Sequence, residues 1–182
     1  MTKVATSVDT KFLVSLETKH SAEFFGLVRI IMNLKKYIGA DAIVTELKSE
    51  TKDEILLELL EAMCNSGRLN FNRLDESMAA ILKREGKMST GIQDGIAIPH
   101  ARISGIKDII AVLGTKPSGI DFNSLDAKPA RIFIMTLSPV ELPVPHVQFL
   151  AELMQKLKHK SVRDGIAAAA SPKEVLALLF AE

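Results

Sequence analysis

Ser89-Thr90-Gly91-Ile92-Gln93-Asp94-Gly95-Ile96-Ala97-Ile98-Pro99-His100-Ala101-Arg102 is the stretch on which the reading of this chain turns. Its centre, Gly95 to His100 (GIAIPH), is a short apolar run held between a glycine and a proline. The run is too short for a helix, and its Gly and Pro neighbours favour a buried strand. Pro99 fixes its own φ and has no N–H to give, so regular ladder pairing is expected to stop there. That places His100 at the end of a sheet strand, on rigid backbone, where α/β proteins put their chemistry. A histidine at a strand end is also compatible with simple packing, so the flanking segments have to decide.

Toward the N-terminus, Asn72 with Asp75 three residues on is expected to cap a helix with the apolar stripe Leu74, Met78, Ile81 and Leu82. Gly86 is its expected stop. Arg84 falls in the last turn, where the helix dipole favours a cation whether or not it has another task. Further back, Thr51-Lys52-Asp53-Glu54 is a capping box. The helix it opens carries Ile55, Leu56, Leu59, Leu60 and Met63 on one face and ends before Gly67. Ala42 to Leu47 has strand composition, and Glu23 to Lys36 reads as an amphipathic helix despite Gly26. Residues 1–21 show no strong periodicity.

Toward the C-terminus, Ile109 to Leu113 and Ala130 to Leu137 have buried-strand character, with a short edge strand expected at Gly119 to Phe122. Pro139 to Pro145 holds three prolines and is expected to be irregular. A helix then starts near Pro145, with Val147, Leu150, Leu153, Met154 and Leu157 at helical spacing. His146 sits in its first turn, where free N–H groups and the positive dipole end attract an anion and lower a histidine's pKa. An exposed loop histidine is the alternative. Helices over about Val162 to Ala170 and from the cap Ser171 to Phe180 close the chain. Strands alternating with helices predict an α/β fold, a mixed, mostly parallel β-sheet flanked by α-helices on both faces.

The 182 residues suit one domain with a sizeable core. A net charge of +1, no basic block and no Trp argue against a nucleic-acid partner. Cys64 is the single cysteine, so no internal disulfide or Cys knuckle can form, and a small buried hydrophobe is its expected role. No apolar run reaches membrane-spanning length and the N-terminus does not read as a signal peptide, so a cytoplasmic setting is expected. A metal-dependent hydrolase using His100, His146 and a carboxylate would need ligand spacing the chain lacks. It has no HExxH or HxH pair, and His20 and His159 lie in polar contexts.

With LKREGK before it and PHVQFLAEL after it, STGIQDGIAIPHAR resembles the enzyme IIA domain of the phosphoenolpyruvate-dependent sugar phosphotransferase system. The likeness is to the mannitol/fructose class, which includes nitrogen-regulatory IIA proteins, and covers roughly Met32 to the C-terminus. By that resemblance His100 accepts the phosphoryl group on Nε2. Arg84, of the Arg84-Glu85 pair sixteen residues earlier, and His146, forty-six residues later, stabilise it. Ser89 or Thr90 could add a hydroxyl or backbone N–H. The donor would be a histidine phosphocarrier protein (HPr or its nitrogen-branch paralogue), and the acceptor a cysteine of an enzyme IIB or a regulatory target. No cofactor is implied. Ile92, Ile96, Ala101 and Ile103 are candidates for an apolar docking rim, or for core. Ala101 stands where the family usually has glycine. Residues 1–31 read as an N-terminal extension ahead of a 32–182 domain, and the absence of a transmembrane or IIB segment suggests a free-standing, nitrogen-regulatory-type member. A non-catalytic interaction domain on the same fold is the competing reading.

Overall fold

In the computed structural model, residues 34–141 and 143–181 are described. The chain divides into units Met1–Ile31 and Met32–Glu182. The helix expected over Glu23 to Lys36 lies mostly outside the described residues; its last three, Leu34–Lys36, form a 3-10 turn.

The capping box forms as expected. Thr51 Oγ1 accepts the Glu54 N–H at 3.4 Å and the Glu54 carboxylate accepts the Thr51 N–H at 3.1 Å. The helix it starts, α1 (Lys52–Asn65), buries Ile55, Leu56, Leu59, Leu60, Met63 and Cys64. The next cap is not where Asn72 suggested. Asn70 accepts the Asn72 N–H at 3.1 Å and starts a 3-10 turn over Phe71–Arg73, so α2 (Leu74–Glu85) begins without a side-chain cap. Gly86 ends it.

The sheet is mixed. Strand β1 (Ile43–Val44) runs parallel to β4 (Ile110–Ile120), which is antiparallel to β5 (Ala130–Pro139). Along the other edge of β5 lie β2 (Ile96–Ala97) and β3 (His100–Ile103), both parallel to it. The edge strand expected at Gly119 to Phe122 is instead the far end of β4, reached through a register shift between Thr115 and Ile120. Pro117 in that interval has no N–H for the ladder, and Gly119 takes φ +68°. The proline-rich loop is also shorter than expected. Pro139 ends β5 opposite Ile103, and α3 (Pro143–Leu157) takes in Pro143 and Pro145. First-turn positions need no donor, so these prolines cost the helix nothing there.

Two further helices, α4 (Lys160–Ala168) and α5 (Pro172–Leu179), follow, the second capped by Ser171 accepting the Glu174 N–H. Alternation along β5 sends Phe133, Met135 and Leu137 into one cluster with α1 and α2. Ile132, Ile134 and Thr136 face the opposite layer, where α3 and α4 pack on the sheet. Both faces are covered. Among the described residues no helix is long and apolar enough to cross a membrane.

Candidate phosphoryl-acceptor site

The GIAIPH segment is one edge strand with a gap. Ile96 and Ala97 pair with Ile132 and Phe133, and the same register resumes with His100 opposite Thr136. Pro99 cannot donate across the gap, although its carbonyl still accepts the Thr136 N–H at 2.9 Å. His100 therefore does not end a strand, as its sequence suggested; it opens β3 beside an interruption in the ladder.

A tight turn sets up that edge. Asp94 and Gly95 have φ of +63° and +76°, and the Ile96 N–H donates to Gln93 O at 3.3 Å. Such a pair of positive φ values suits Asp-Gly, a tight-turn signal that the sequence carries at this point. The chain folds back so that the Ile98 N–H donates to Thr90 O at 3.0 Å. Gly91 is required by crowding, since a Cβ there would lie 2.8 Å from Ser124 Oγ and 3.0 Å from Ser124 Cα.

Three expected site residues converge. His100 Nδ1 lies 2.8 Å from Ile98 O, and Arg84 Nε–H donates to His100 Nε2 at 3.1 Å. Both contacts assign the same tautomer, with the proton on Nδ1 and the lone pair on Nε2. Arg84 reaches across from the last turn of α2 while its Nη1 donates to Met88 O at 2.9 Å. His146, in the first turn of α3, places its ring centroid 5.3 Å from that of His100 at 44°. Its Nδ1 is buried with no hydrogen-bond partner among the described residues.

Burial lowers the pKa of His100, and the Arg84 and Arg102 charges lower it further, against the Ile98 hydrogen bond and the Glu85 carboxylate, which raise it. His146 is pushed down to about 3, by burial first and then by His100, Arg102 and Arg84. Both rings are neutral at pH 7. Burial, rather than the helix terminus invoked from sequence, leads the shift at His146.

Ser89 and Thr90 lie close in the chain but are engaged elsewhere. Ser89 Oγ donates to Phe122 O at 2.7 Å and accepts the Gly91 N–H. Thr90 gives both its N–H and its Oγ1–H to Glu85. Neither is hydrogen-bonded to His100. Of the rim candidates, Ile96, Ala101 and Ile103 are buried core residues and only Ile92 is partly exposed. The exposed apolar residue beside β3 is Val140, whose N–H donates to Ile103 O.

Two neighbours were not singled out from sequence. Arg102 is exposed and, two residues along β3, shares the face of His100, which strand alternation could have shown. Thr136 sits directly opposite His100 with its hydroxyl buried and unpartnered among the described residues; only the strand register brings them together. No group of three or more His, Cys, Asp or Glu side chains that could hold a metal ion assembles among the described residues.

Residues 8–182 match the family model described as phosphoenolpyruvate-dependent sugar phosphotransferase system, EIIA 2. The chain belongs to this family. It is 34% identical over 125 residues to the fructose-specific EIIA component of Haloferax volcanii, covering 69% of this chain and 80% of that one. Its fold is similar to the crystal structure of the nitrogen regulatory protein IIA-Ntr from Neisseria meningitidis, with TM-score 0.72 and 25% identity over 80% of this chain and 98% of that one. It is also similar to the mannitol enzyme IIA of Escherichia coli in its complex with phosphorylated enzyme IIB, with TM-score 0.64 and 26% identity over 79% and 97% of the two chains. Membership of a phosphotransferase-system IIA family supports a phosphocarrier role.

Proposed function

We propose that this chain is a phosphohistidine carrier that accepts a phosphoryl group on His100 Nε2 from a histidine phosphocarrier protein. The observation that carries the reading is the His100 ring, bound at Nδ1 by Ile98 O and presenting Nε2 toward an arginine. In the transfer the Nε2 lone pair attacks phosphorus as the P–N bond of the donor phosphohistidine breaks. That bonding pair returns to the donor ring, and Nδ1–H of His100 keeps its proton. Little covalent help is needed beyond position and charge. Arg84 moves its N–H groups from Nε2 to the phosphoryl oxygens as a fork. Neutral His146 offers a ring N–H without adding charge that would hold the group too tightly for onward passage.

The onward acceptor on this reading is an enzyme IIB cysteine or a regulatory target, and we favour the nitrogen-regulatory type. The fold likeness to IIA-Ntr supports that preference, whereas the Haloferax relative is named for fructose. Residues 32–182 form the carrier domain and 1–31 an extension, although the family match starts at residue 8. Supplying the phosphorylated sugar-branch carrier and its nitrogen-branch paralogue in turn tests the assignment. Faster charging by the nitrogen-branch protein supports the regulatory type. Charging by the sugar-branch protein alone, followed by transfer to a IIB cysteine, contradicts it.

A further inference from the structure

Lys52 opens α1, the end of a helix at which the dipole disfavours a cation. A local rule broken in this way calls for a compensating contact. The Lys52 side chain is 19% exposed, and its Nζ lies 2.6 Å from Oε1 of Glu85, which is itself buried. Nζ also donates to Phe122 O at 3.2 Å and to Ser89 Oγ at 3.4 Å, and stands 4.5 Å from the Phe122 ring centroid. Burial works to raise the Glu85 carboxyl, yet Lys52 and Thr90 together hold it below the ordinary carboxylate range. It is a buried carboxylate kept ionised by its partners.

From this pair hydrogen bonds run to Nδ1 of the His100 ring, and the chain itself leads from Glu85 to Arg84 at Nε2. Glu85 accepts the Thr90 N–H at 2.9 Å and Thr90 Oγ1–H at 2.6 Å. Thr90 O accepts the Ile98 N–H at 3.0 Å, and Ile98 O in turn accepts His100 Nδ1–H at 2.8 Å. On the other side Arg84, next to Glu85 in α2, bridges Met88 O and His100 Nε2 at 2.9 and 3.1 Å. We propose that Lys52 and Glu85 are positioning residues that lock the Met88–Thr90 turn and through it fix the His100 tautomer and the Arg84 approach. The inference rests on the phosphocarrier reading of His100. A pair that merely held α1 to α2 would change stability and leave the ring untouched.

The test uses the full chain and the Glu85→Gln and Lys52→Met variants, with nitrogen-15 spectra of the His100 ring. The wild type is expected to show a single tautomer protonated at Nδ1, and both variants a mixture. Single-turnover uptake at saturating phosphorylated carrier is expected to fall about ten- to a hundredfold, the range for removing groups that orient a reactive residue, with half-saturation unchanged. Lys52→Arg keeps the charge and is expected to restore the ring spectrum and most of the rate. Folded Glu85→Gln and Lys52→Met proteins with unaltered ring spectra and wild-type saturating rates would overturn the inference. If Glu85→Gln does not fold, Thr90→Val, which removes only the Oγ1 donor, decides on the same two readouts. The ring spectra need no phosphoryl donor. A wild type that shows the single tautomer but takes up no phosphate contradicts the carrier reading, not the positioning pair.

Discussion

His100 and His146 face each other as neutral rings, and the cost of charging either shows as pH dependence. The unfolded chain takes up a proton on His146 near pH 6.5, while the folded chain withholds it until about pH 3. The unfolded state therefore binds more protons between those values, and stability falls as pH drops through that window. Its slope is expected to reach about 1.4 kcal/mol per pH unit for a single such group. His100, lowered in the same direction, adds to it. Urea unfolding at pH 7, 5.5 and 4.5 checks this, and His146→Gln is expected to flatten the slope; an equal slope in the variant would contradict the burial account. Arg84 makes a second prediction. Its Nε and Nη1 span His100 Nε2 and Met88 O, a fork that a lysine cannot reproduce. Arg84→Lys is expected to cost about a hundredfold in the saturating uptake rate, the scale of losing one preorganised donor, measured by rapid quench.

Among the elements, the interrupted edge strand is what makes His100 reachable. Its hairpin packs Gly91 so close to Ser124 that a Cβ would lie 2.8 Å from Oγ and 3.0 Å from Cα, so something must shift to admit one. Gly91→Ala is expected to destabilise the chain by about 1–3 kcal/mol, as overpacking does, read as a lower urea midpoint. An unchanged midpoint would mean the 88–92 turn can move freely, against the role given to it. The same segment shows what sequence could and could not disclose. Pro99 announced a break in pairing, but His100 could be placed on the far side of it only with the Thr136 register in hand. Asn70 outcompeted Asn72 because a side-chain contact two residues on closes a 3-10 turn that helix periodicity does not register. The helix starts two residues before the expected Pro145; Pro143 was weighed as a breaker and only Pro145 as a first-turn residue. Arg84, with Glu85 beside it, and His146 were reached through family spacing, whereas Lys52 and Thr136 meet the site only through tertiary contacts. Of these two, Lys52 alone left a local trace, a cation at the wrong end of a helix.

For the whole molecule, a sheet covered on both faces leaves the chemistry at one edge, where α2, β3 and α3 each bring one residue. If residues 1–31 are an extension ahead of the carrier domain, removing them is expected to leave phosphoryl uptake within about twofold of the full chain, a difference smaller than the loss of any single hydrogen bond. Loss of uptake on trimming, with the remainder folded by circular dichroism, would make that stretch part of the carrier unit. The fold class was legible because alternating helices and strands admit few arrangements. The partner surface was not, because three of its four apolar candidates turned inward. The most direct measurement of the central claim is intact mass before and after exposure to phosphoenolpyruvate, enzyme I and a histidine phosphocarrier protein. The account expects a gain of about 80 Da, one phosphoryl group carried on nitrogen, that is acid-labile and absent in His100→Ala. No gain under conditions that charge a known IIA protein, or a gain that survives His100→Ala, would contradict it.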